Sequence, residues 1–231
     1  MKNIKKKLAL GMSLMALATF SFAQSTETRT PGSFSKVHSG GSWEVVLVEG
    51  SKEEVKIEAR GVDLSKVKTE IEDGVLSLGL VNGNYNNVSL KFYVTYRSLE
   101  GVKCSGSGKM TVKSDVSADE FYIGLSGSGD IIMQELNADE LEVSISGSAK
   151  VQVGSGSIEE AVIKQSGSGD FMGENLAIRE LEVSKSGSGS TQVGDLGEVS
   201  YHASGSGDLV YSGSPRMTEI KVSGSSSIRK R

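Results

Sequence analysis

The feature that most constrains this chain is a repeat. Ser-Gly-Ser-Gly or a close variant begins at Ser105, Ser126, Ser146, Ser166, Ser186, Ser204 and Ser223, at steps of 21, 20, 20, 20, 18 and 19 residues. A flexible linker would neither hold that period nor carry apolar residues in phase with it. Here Val102, Ile123, Val143, Ile163, Val183, Tyr201 and Ile220 stand three residues before each motif. Met110, Ile131, Val151, Phe171, Thr191, Leu209 and Ile228 stand five after its start. Each unit reads as a strand, a tight turn, a second strand and a return loop, with alternation such as Leu141-Glu142-Val143-Ser144-Ile145 setting one row inside and the other in solvent. One unit cannot bury its apolar row alone, but stacked copies bury a continuous column. The expected fold is therefore all-β, a right-handed parallel β-helix (β-solenoid) of about seven ~20-residue coils, with like strands ~4.8 Å apart. A propeller blade would need ~40 residues, twice this period.

Stacking predicts ladders. The residues following the seven motifs are Lys109, Asp130, Lys150, Asp170, Ser190, Asp208 and Ser227, so lysine and aspartate alternate through the first four coils, a pattern suited to fixing register. Gly-Ser-Gly-Asp superficially suggests a calcium repeat, but calcium needs several oxygens converging on one point. Lysines separate these aspartates and the period is twenty, so the motif is read as a structural turn and no metal or cofactor is expected. The serine columns are equally structural. A nucleophilic serine needs a base held by a third group, and the chain offers only His38 and His202, with His202 read as a surface residue.

Lys2, Lys5, Lys6 and Lys7 precede an apolar run from Leu8 to Phe20 and then Ser21-Phe22-Ala23, the pattern of a cleaved secretory signal over residues 1–23. Without those four lysines the chain has 21 basic and 29 acidic residues, a net charge of −8. Such a balance is unsuited to nucleic acid, where cations must replace phosphate counterions. The terminal Arg229-Lys230-Arg231 is most simply a solvated end. Cys104 is the only cysteine, so no intramolecular disulfide can form.

After a short flexible stretch, 24–32, residues 33–100 lack the motif but remain β-rich. Strands are expected over Trp43 to Val48, Glu54 to Ala59, Leu76 to Leu80 and Val88 to Val94. Asp73-Gly74 signals a hairpin turn, Val62 to Val67 a short helical turn, and Asn82 to Asn87 a polar loop with Tyr85 exposed. This part is expected to supply an irregular cap to the solenoid of 101–231, since terminal repeats are commonly atypical.

Several segments here resemble a known family. They are Phe34-Ser35-Lys36-Val37 leading to Gly40-Gly41, Val46-Leu47-Val48-Glu49-Gly50, Gly74-Val75-Leu76-Ser77-Leu78, and above all Leu99 to Gly108 running into the first Ser-Gly-Ser-Gly. Over about residues 33 to 228 the chain is similar to the exported bacterial proteins described as putative auto-transporter adhesin, head GIN domain. It departs from them at Gly41-Ser42-Trp43, where the family tends to have Gly-Ile-Asn. The resemblance implies a β-helical head, a cell-envelope location and an adhesive role, with no catalytic residues to transfer. The segment after the repeats is too short for a membrane barrel of ~10-residue strands, so this sequence does not carry its own exporter.

Three functions follow for consideration. The first is a non-enzymatic binding or adhesion module, holding a glycan or protein partner at the cell surface or in the envelope through Tyr85, Tyr93, Tyr122 and Lys164. The second is a structural scaffold of the periplasm, compatible with homo-oligomers formed through a face or an end of the stack. The third is a polysaccharide-cleaving enzyme using Glu142 and Glu182, which share a column two coils, ~10 Å, apart with Val162 between them. Both glutamates read as ordinary solvent-facing residues, and the reading adopted is non-enzymatic.

Overall fold

A computed structural model describes residues 24–231; the expected signal segment lies outside the described residues. Strands β1 (Ser25–Arg29), β2 (Lys36–Gly40), β3 (Glu44–Glu49) and β4 (Glu54–Arg60) open the fold. A single 3-10 turn over Leu64–Lys66 follows, capped by Asp63, whose carboxylate accepts from the Ser65 amide. Next come β5 (Val67–Glu72), β6 (Val75–Leu80) and β7 (Ser89–Tyr96), with the β5–β6 hairpin turning at Asp73-Gly74, both at positive φ. The repeats form β8 (Gly101–Gly106), β9 (Lys109–Val112), β10 (Val116–Gly127), β11 (Asp130–Gly147), β12 (Lys150–Gly167), β13 (Asp170–Gly173), β14 (Leu176–Gly187), β15 (Thr191–Gly205), β16 (Leu209–Gly224) and β17 (Ile228–Lys230).

Like positions of successive coils pair in parallel and in register, with β-bulges interrupting the register between β15 and β16. Ser105, Ser126, Ser146, Ser166, Ser186, Ser204 and Ser223 form one column, and the glycines that follow them form the next. The stack is a β-solenoid of about six turns. At each corner the first glycine has left-handed backbone, φ 100° at Gly147, and a Cβ there would lie 2.3 Å from the Gly127 carbonyl oxygen. Glycine therefore serves twice, supplying the conformation and admitting the neighbouring coil. The coils are stitched at the same place by amide-to-carbonyl bonds, Ser128 to Gly106, Ser148 to Gly127, Ser168 to Gly147 and onward.

The column three residues before the motif is the core: Val102, Ile123, Val143, Ile163, Val183 and Tyr201 are each at most 1% exposed. Ile220 departs from this expectation at 42% exposed, because no further coil covers it. A buried polar group interrupts the column two residues further on, where Leu125 and Ile145 are followed by Gln165 and Lys185. Gln165 donates to the Gly169 and Ser190 carbonyls, Thr191 donates to Gln165, and Lys185 donates to the Gly189 carbonyl. Satisfied in this way, the group avoids the cost of unpaired buried polar atoms.

The N-terminal strands enter the same stack. β2 lies parallel to β8, and β3 parallel to β9, so residues 40–43 form a turn directly against the first Ser-Gly-Ser-Gly. The Gly41 amide donates to Ser105 O, and the Lys109 amide to Trp43 O. The Trp43 ring folds over Gly41 and meets Phe92 edge-on, with ring centroids 6.3 Å apart. Beyond this turn the chain changes to antiparallel pairing, β7 with β4 and β4 with β1.

The charge ladder is in register, Lys109 beside Asp130, Lys150 and Asp170, and β3 and β7 extend it with Glu44 and Lys91. Lys91 and Glu44 close an ion pair at 2.9 Å. In the later coils Asp170 and Asp208 instead accept from the amides of Ser190 and Ser227 one coil on. These aspartates thus serve register through backbone hydrogen bonds more than through attraction to lysine.

Candidate functional site

One outer sheet carries most of the side chains with chemistry to offer. Because its strands pair in register, outward residues line up as columns. Gly101, Tyr122, Glu142, Val162, Glu182, Ser200 and Glu219 form one. Beside it Gly124, Ser144, Lys164, Ser184, His202 and Lys221 form a second. On the other flank Glu120, Glu140, Glu160, Glu180 and Glu198 form a third. Five glutamates at the ~4.8 Å strand spacing repel one another. Arg179 relieves part of this by reaching Glu159, Glu160 and Glu180 together, and Arg216 pairs with Glu198. This third column is legible in the sequence as glutamates at steps of 20, 20, 20 and 18, a signal carried by outward residues and not by the inward or turn residues that define the repeat.

Tyr122 lies where this sheet begins. Its ring folds across Gly124, where an added Cβ would come within 2.8 Å of it, so a side chain at that position would displace the tyrosine. The ring borders a cleft of about 690 Å³ lined by Lys36, Leu99, Glu100, Asp119, Glu120 and Glu142, among others. Lys164 joins the same face by pairing with Glu142 at 3.0 Å, and that hydrogen bond raises the Lys164 pKa. The geometry therefore links Tyr122, Glu142 and Lys164. Glu182 shares their column with Val162 intervening, as expected.

The other two tyrosines lie elsewhere. Tyr93 is on the sheet formed by β4, β7 and β3, with the ammonium groups of Lys56 and Lys91 at 5.0 and 5.2 Å from its ring centre. Those cations already engage the ring. Tyr85 corrects an expectation: it is not an exposed ring, because it folds back over Gly83 and its hydroxyl donates to Val81 O at 2.9 Å. A six-residue polar loop meets its own carbonyls most economically in this way.

The fold also makes a pairing that sequence separation hid. His38 and Ser105 stand on neighbouring strands, with Nε2 3.1 Å from Oγ. Burial and the nearby Lys103 lower the His38 pKa, which favours the neutral imidazole. Among the described residues no acceptor holds the other ring nitrogen, so the arrangement lacks the orienting group of a hydrolytic triad. His202 reaches Glu219 at 3.4 Å on the exposed sheet. Among the described residues no group of three or more His, Cys, Asp or Glu side chains is placed to hold a metal ion, and no helix is long and apolar enough to cross a membrane.

The described residues thus form an in-register parallel β-solenoid with one charged outer face. The chain belongs to the family described as putative auto-transporter adhesin, head GIN domain, whose model matches residues 33–215. It is similar to a solved putative adhesin from Bacteroides fragilis, at 21% identity and TM-score 0.83 over 91% of this chain and 98% of that one. A putative adhesin from Parabacteroides merdae is similar at 22% identity and TM-score 0.73, covering 90% and 96%. A putative lipid binding protein from Parabacteroides distasonis is similar at 20% identity and TM-score 0.68, again covering 90% and 96%. At these identities the likeness is one of fold. No protein of curated function matches the sequence.

Proposed function

We propose that this chain is a non-enzymatic, exported binding head of the cell envelope, engaging a glycan along the Tyr122 face. The observation that carries the reading is the polar cleft beside Tyr122, continued by aligned carboxylates and Lys164 along one flat sheet. A tyrosine ring offers a face for a sugar ring, and carboxylates accept hydrogen bonds from hydroxyl or amino groups. The acidic column repels uronic acids and sulfated sugars, so the preferred ligand is neutral or amine-bearing. Membership of the adhesin family supports a binding role over a catalytic one.

The test is retention of the purified protein on neutral, amino-sugar and uronic-acid glycans. Binding to the first two groups, lost in Tyr122→Ala and weakened in Glu142→Gln but kept in Tyr93→Ala, is the expected result. Absence of retention on every glycan, or binding indifferent to Tyr122→Ala, overturns it. Location is tested with protease on intact cells: degradation while a periplasmic control survives is expected of a surface adhesin. Protection that ends on lysis instead favours a periplasmic scaffold.

A further inference from the structure

The two ends of the solenoid are finished differently. At the N-terminal end the edge strands β1 and β5 are short and polar, carrying Glu27, Arg29, Lys68, Glu70 and Glu72. Arg29 is moreover fastened to Glu27 and to the carbonyls of Leu64 and Val67. Short charged edges resist pairing with another chain. At the C-terminal end β16 pairs with β15 on one side, while β17 covers only Leu209 to Tyr211 on the other. Arg216 to Gly224 are all exposed. The large hydrophobic residues left exposed among the described residues, Met217, Ile220 and Val222, all lie on this strand, at 42%, 42% and 43%. They sit directly on the buried Val199, Tyr201 and Ala203, so the core column is cut open there and the backbone edge lacks a neighbour.

We propose that this edge is covered by the same edge of a second copy, the two β16 strands pairing antiparallel about a two-fold axis through Ile220. In that register Ile220 faces its counterpart, Thr218 at the β16 bulge faces Val222, and Glu219 faces Lys221 in both directions, exchanging the ion pair that these two make within one chain for two across the seam. Moving the axis one residue either way sets Glu219 against Glu219 or Lys221 against Lys221, which like-charge repulsion disfavours. The interface is isologous, and because the opposite end is closed, assembly stops at two rather than growing into a filament. The competing occupant is an anionic membrane, suggested by the cations near this end. Arg216, Arg229 and Arg231 are already engaged by Glu198, Asp208 and Glu174. A bare strand edge would also leave its amides and carbonyls unpaired in lipid. A strand satisfies both the apolar row and the backbone.

The experiment is sedimentation of the purified chain between about 5 and about 200 μM, a range that resolves micromolar association. A dimer whose population rises with concentration is expected. Ile220→Lys, at a position already exposed and so compatible with folding, leaves a monomer with unchanged circular dichroism. Glu219→Lys and Lys221→Glu each weaken the dimer by about tenfold or more, and the two combined restore it. Ile220→Cys gives an interchain disulfide on oxidation, with the buried Cys104 out of reach. The proposal is overturned by a monomer throughout the range, by a dimer that survives Ile220→Lys, or by failure of the combined charge swap to restore association. A monomer that binds anionic phospholipid vesicles through Ile220 assigns the edge to a membrane instead.

Discussion

Lys185 occupies the interior position that Leu125 and Ile145 fill in earlier coils, so its amine is carried inside the solenoid. Burial lowers its pKa from 10.5 to about 8, with Asp170 acting in the opposite sense. Between those two values the unfolded chain holds the proton more tightly than the folded one, so this group's contribution to stability rises with pH across that window. Below about pH 8 the cost of keeping an ammonium inside is fully present. Lys185→Met is accordingly expected to raise stability at pH 7 by about 1–3 kcal/mol. It should also flatten the rise between pH 8 and 10.5, checked by urea unfolding of parent and variant side by side. The sequence placed a lysine at this position but did not disclose its burial. Its alternation with Glu182 and Ser184 fits an inward residue, whereas its charge fits an outward one, and the Gly189 carbonyl that accepts from its amine explains how the interior admits it.

At the scale of the strand, identical steps turn single residues into columns, and a column has properties no member has alone. The five aligned glutamates from Glu120 to Glu198 are tolerated partly because Arg179 projects among them. Arg179→Ala is expected to lower the melting temperature by a few degrees in low salt, and by clearly less in about 1 M sodium chloride, since screening then does the work of the guanidinium. Equal losses at both ionic strengths would assign Arg179 a packing role instead. The strands, the turns and the inner columns of the repeats were legible because the repeat encodes them directly, whereas 24–32, expected to be flexible, holds β1 paired with β4. The Asp73-Gly74 hairpin and the helical turn near Leu64 were legible from local chemistry. The site was legible only in part. Tyr122 and Lys164 share the outer face, but Tyr85 is spent on its own loop and Tyr93 on two lysines, contacts made by residues outside the repeating pattern. The His38–Ser105 contact spans 67 positions and had no periodic signal to announce it.

For the whole molecule, in-register stacking makes length a modular quantity. Residues 130–149 form one period, and removing them joins Gly129 to Lys150 with each inner column intact. This variant is expected to fold cooperatively, with a melting temperature within about 10 °C of the parent, because each coil contacts only its neighbours. Removing half as much, residues 130–139, leaves a chain that cannot complete its circuit and is expected to aggregate or unfold. Comparing the two by circular dichroism and thermal melting distinguishes modular stacking from a single indivisible core. The unlike ends also give the molecule a direction in time. Synthesis proceeds from the N-terminus, so the closed end exists before any repeat does. Each later coil then meets a finished edge to copy as it emerges, so register is handed on from coil to coil in the order of synthesis.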